Sequence, residues 1–95
     1  MLSKRQINTI IKVLKPYNPK KIGLFGSLAK SEETASSDID ILYNFDSPVT
    51  LFNLVEIQEK LQKILKKEVD LVSENAIHPI LKDYIFNDMK VIYEN

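Results

Sequence analysis

Ninety-five residues, 44% apolar and 27% charged, suit one globular domain over 1–95 with a single core and no separate substrate domain. The chain has no cysteine, which excludes disulfides and thiolate metal sites. No apolar run is long enough for a membrane span or a secretory leader, so the cytoplasm is the expected compartment.

The formal net charge is zero but unevenly spread. Residues 1–21 carry Lys4, Arg5, Lys12, Lys15, Lys20 and Lys21 without an acid, whereas residues 22–59 hold seven acids against Lys30 alone. An acidic middle disfavours direct nucleic-acid binding. The basic N-terminal stretch could meet RNA or an acidic partner, and the solvated face of a helix is the favoured reading.

In chain order, Ser3-Lys4-Arg5-Gln6 has the form of a capping box, and Ile7, Ile10, Ile11 and Leu14 recur at helical spacing. A helix over 4–15 follows, ended by Pro16 and Pro19. A strand over 21–25 places Ile22 and Leu24 on one face. Gly26-Ser27 then turns into a short helix over about 27–32. A glycine there lets backbone approach a ligand, and free N–H groups at the helix start suit phosphate. Taken alone, Gly-Ser before a helix is most often only a turn and a cap.

A polar loop leads to a second strand over 37–45, Ser37-Asp38-Ile39-Asp40-Ile41-Leu42-Tyr43, which alternates polar with apolar. Asp38 and Asp40 then share a face, where like charges repel. No Lys or Arg lies between Lys30 and Lys60 to neutralise them. Either that face is fully solvated, or a cation is supplied from outside. A hard divalent metal that takes carboxylate and phosphate oxygens is the economical supply.

Asp46-Ser47-Pro48 makes a turn, and the longest helix runs over 49–67 with Leu51, Leu54, Val55, Leu61, Ile64 and Leu65 in its apolar stripe. A third strand, 68–72, carries Asp70 among Val69, Leu71 and Val72. Pairing beside the second strand would align Asp70 with Asp38 and Asp40. Pro79 opens a last helix bearing Leu81, Tyr84 and Ile85. Lys90–Tyr93 reads as a short edge strand or an exposed tail. His78 and the four tyrosines are read as surface or packing residues, too scattered for a base-stacking platform.

Gly26-Ser27, Ser37-Asp38-Ile39-Asp40 and Val69-Asp70-Leu71-Val72, in that order, resemble the minimal nucleotidyltransferases (MNT) of the DNA polymerase β-type nucleotidyltransferase superfamily. The resemblance runs from about Lys20 to Tyr93. It implies an α+β fold, a small mixed β-sheet with helices packed on it. Lys30 and Ser31 stand where the family commonly has Arg and Gly, so the positive charge stays and bidentate geometry is lost.

In such a site Asp38, Asp40 and Asp70 would hold two Mg2+ ions, or Mn2+, with Asp70 also assisting deprotonation of the acceptor. Gly26, Ser27 and Lys30 would hold the β- and γ-phosphates of a nucleoside triphosphate, by resemblance ATP, and AMP would be transferred. The family further implies a small helical HEPN-type ribonuclease toxin as partner, with this chain as antitoxin and a partner hydroxyl as acceptor. A catalytically weak module that neutralises its partner by contact is the alternative. A third reading is a subunit acting on RNA or a small molecule.

Overall fold

The computed structural model describes residues 2–25 and 39–95. The Gly26-Ser27 turn, the helix over 27–32, Lys30 and Asp38 lie outside the described residues.

Helix α1, Lys4–Leu14, starts where the capping box predicts. The Ser3 hydroxyl accepts from the Gln6 N–H at 3.2 Å, and the Gln6 side-chain oxygen accepts from the Ser3 N–H at 2.8 Å. A 3-10 turn at Lys15–Tyr17 and a left-handed Asn18 (φ 55°) deliver the chain into strand β1, Pro19–Phe25. Strand β2 is Ile39–Phe45, and helix α2 is Leu51–Leu65, which matches its apolar stripe and starts and ends inside the expected 49–67. Thr50 and Asn53 form a second capping box that fixes its start. Lys66 turns left-handed (φ 56°) and fixes its end. Strand β3 is Val69–Ser73, and a 3-10 turn at Glu74–Ala76 precedes helix α3, Pro79–Asp88. Lys90–Glu94 forms strand β4, which settles the choice between edge strand and tail.

The sheet order is β3-β2-β1-β4. β1 runs antiparallel to both β2 and β4, while β2 and β3 are parallel and joined through α2. This is the expected mixed sheet. Its first face carries Ile22, Leu24, Ile39, Ile41, Tyr43 and Val69, which pack with Ile10 and Leu14 of α1 and Ile57, Leu61 and Leu65 of α2. Helices α1 and α2 therefore cover one face.

The second face is built from the alternate residues Lys21, Gly23 and Phe25 on β1 and Asp40, Leu42 and Asn44 on β2. Here α3 approaches β1. A Cβ on Gly23 would stand 2.6 Å from the Met89 Sδ, so glycine is what admits the chain at the end of α3 to the sheet. The Lys21 ammonium lies 5.4 Å from the centre of the Phe86 ring, a second tie between α3 and β1.

Val69 sits at the outer edge of the sheet. Gln58 and Gln62, one turn apart on α2, complete its backbone hydrogen bonding. Gln58 Nε2 donates to the Val69 carbonyl at 2.7 Å, and the Val69 N–H donates to Gln62 Oε1 at 3.0 Å.

Candidate functional site

The site follows from burial and a period of two. Ile39 and Val69 are fully buried and face each other across β2 and β3, as Ile41 faces Leu71. Each aspartate between such anchors must point to the opposite face. The register then sets Asp40 directly beside Asp70 on neighbouring parallel strands. Asp40 is half-buried and Asp70 exposed. A slip of one residue would send Asp70 into the core and Leu71 into water, so the hydrophobic pattern fixes this pair.

On the other flank Phe25 is in register with Asp40 and half-buried. Phe25 thus walls the Asp40 side, and Asp70 forms the open side. Two neighbouring carboxylates on one face repel and gain from a cation between them. Their oxygen donors suit Mg2+ or Mn2+, so the residues present fit the expected metal. Among the described residues no group of three or more His, Cys, Asp or Glu side chains gathers. The described share of the expected carboxylate set is the Asp40–Asp70 pair; Asp38 and the phosphate-binding candidates Gly26, Ser27 and Lys30 fall outside it.

A separate polar cluster, absent from the sequence reading, occupies the far end of the same face. Glu74 accepts from Asn44 Nδ2 at 2.9 Å and pairs with the Lys21 ammonium at 3.2 Å. Burial alone would raise the Glu74 pKa, but the hydrogen bonds from Asn44 and Lys21 and the charges of Lys21 and Lys82 hold it below the usual glutamate value. These groups line an open cleft of about 490 Å3 that also includes Lys20, Asp46 and Glu94. The signal was available in part. Asn44 shares the parity of Asp40 along β2, Lys21 alternates with the apolar Ile22 and Leu24 on β1, and Glu74 is four residues beyond Asp70.

His78 is exposed, as expected, and also caps α3, its Nδ1 accepting from the Ile80 N–H at 3.2 Å. Tyr43 stacks on Phe45 (ring centres 4.8 Å apart) and Tyr17 leans on the same ring (5.9 Å), which makes them packing residues. Burial pushes the Tyr43 phenol pKa up, partly offset by a hydrogen bond with Ser73.

The model of the polymerase beta nucleotidyltransferase family matches residues 8–95, a span that contains all of these elements except the start of α1. The chain belongs to that family. It is therefore a nucleotidyltransferase. A candidate protein adenylyltransferase of Methanocaldococcus jannaschii is 43% identical over 79 residues, 83% of this chain and 85% of its own. The protein adenylyltransferase MntA of Thermococcus cleftensis is 32% identical over 82 residues, 81% of this chain and 83% of its own.

Among solved nucleotidyltransferase-like structures, a toxin-antitoxin with AMP-PNP superposes with a TM-score of 0.82 at 27% identity, covering 94% of this chain and 73% of that one. The complex of a tri-AMPylated Shewanella oneidensis HEPN toxin with its MNT antitoxin gives a TM-score of 0.78 at 25% identity, covering 99% and 74%. Among the described residues no helix is long and apolar enough to cross a membrane.

Proposed function

We propose that the chain is a protein adenylyltransferase antitoxin, which transfers AMP from ATP to a hydroxyl of a HEPN-type toxin. The observation that carries this reading is the side-by-side register of Asp40 and Asp70 on parallel strands. The relatives' adenylyltransferase names and their toxin complexes support it.

In this reading Asp38, Asp40 and Asp70 hold Mg2+, or Mn2+ in its place. When bound, the metal supplies Lewis-acid charge that stabilises the reacting phosphate. Asp70, the more exposed of the described pair, faces the acceptor and draws the proton from its hydroxyl as the oxygen bonds to the α-phosphorus. Gly26, Ser27 and Lys30 hold the β- and γ-phosphates, which leave together as pyrophosphate. The chain mainly positions reactants and neutralises charge.

The test is intact-mass spectrometry of a purified HEPN-type partner after incubation with ATP and Mg2+. Wild type should add AMP units, and Asp70→Asn should slow the addition by about 10²–10⁴-fold. Neutralisation by contact is the second reading, favoured by helix α3, which has no buried residue and exposes Ile80, Leu81 and Tyr84. Equal protection by wild type and Asp70→Asn, with no added mass from either, would establish it instead.

A further inference from the structure

On the face of the molecule opposite Asp40 and Asp70, helices α1 and α2 lie side by side over the core, and a groove of about 360 Å3 runs between them. Thr9, Lys12 and Val13 of α1 line it from one side and Lys60 and Ile64 of α2 from the other, with Val13 and Ile64 as its apolar floor residues and a lysine on each side. Ile64, in the last turn of α2, is 49% exposed, although its neighbours Leu61 and Leu65 are buried. Among the described residues no acid lines the groove. Helix α1 carries Lys4, Arg5 and Lys12 and no acidic residue, while Glu56 and Glu59 of α2 lie outside the lining.

We propose that this groove docks an acidic amphipathic helix of a partner protein. A helix laid between two helices presents apolar side chains at i, i+3, i+4 and i+7 to the floor. Acidic residues flanking that stripe would meet Lys12 on one side and Lys60 on the other, which sets orientation and speeds encounter. The lining disfavours the other occupants. Nucleic acid gains from many phosphate contacts and from aromatic stacking, and among the described residues the groove offers two lysines, an aliphatic floor and no aromatic ring. A second copy using the same groove would bring like charges together across a two-fold axis. Docking here leaves the carboxylate face open, so the proposal stands whether or not AMP transfer is the activity.

The probe is a labelled peptide of about 18 residues, long enough to be helical, with Leu on one stripe and Glu on both flanks. Two controls replace Glu by Lys or scramble the order. Anisotropy titrations on the full chain should show saturable binding of the acidic helix alone, weakened at least about tenfold in Lys12→Glu/Lys60→Glu and in Ile64→Asp. Amide chemical-shift changes should cluster on Thr9, Lys12, Val13, Lys60 and Ile64. Lys12, Lys60 and Ile64 are exposed, and Lys12→Gln/Lys60→Gln provides a milder variant should the charge reversals fail to fold. Any of four outcomes would overturn the proposal: no saturable binding of the acidic helix, equal binding of the scrambled peptide, unchanged affinity in the variants, or shifts elsewhere. Tighter binding of oligouridylate, or a dimer abolished by the same substitutions, would replace it with one of the disfavoured occupants.

Discussion

Glu74 shows how a single side chain ties distant segments together. One carboxylate receives Asn44 from β2 and Lys21 from β1, with Lys82 of α3 adding its charge. Because its pKa is lowered by folding, the ionised form is the one the native state favours. Its contribution is therefore complete above the ordinary glutamate value of 4.5 and is lost as pH falls through the lower folded value. In urea titrations, the stability gap between wild type and Glu74→Gln should stay level from neutral pH down to the mid-fours, then close. A gap that widened on acidification would show the sign to be wrong. Lys20 and Asp46 form a nearby pair at 3.3 Å, but both are more than half exposed, so removing it should change little.

Among the elements, α3 is held least by the core. It buries no residue of its own, and its approach to the sheet runs through Phe86, the following Met89 and the gap left by Gly23. Gly23→Ala should cost about 1–3 kcal/mol by overpacking against Met89, read from denaturant midpoints. Adding Met89→Ala should recover part of the loss if the clash is the cause, because the two sites then couple. The aspartate pair was legible in the sequence because alternation is local and Asp70 interrupts an apolar run. The caps of α1 were legible for the same reason, since the box spans four residues. The space beside Gly23 was not, because Met89 lies far along the chain. Nor could Lys90–Glu94 be assigned as strand from composition, since only pairing with β1 decides it. The expected helix over 49–67 overruns α2 at both ends, because the Thr50 cap starts it and the left-handed turn at Lys66 ends it, and apolar spacing reveals neither.

For the whole molecule, the side-by-side pair Asp40–Asp70 predicts that ligand and cation act together. Thermal unfolding should shift upward with Mg2+ and ATP combined, and much less with either alone. Binding only to the native state adds about 2.7 kcal/mol when ligand is in roughly hundredfold excess over Kd. Asp40→Asn should abolish most of that response, because a carboxylate that would meet the cation is gone. An equal ATP effect in excess chelator would contradict the metal-dependent site.

The glutamines on Val69 carry a consequence for how this protein meets others of its kind. A sheet edge offers its free N–H and C=O groups as a template on which another chain can assemble. At the start of β3 those groups are already occupied by Gln58 and Gln62. The same two amides that anchor Val69 beside Asp70 also close the start of that edge to strand-on-strand aggregation.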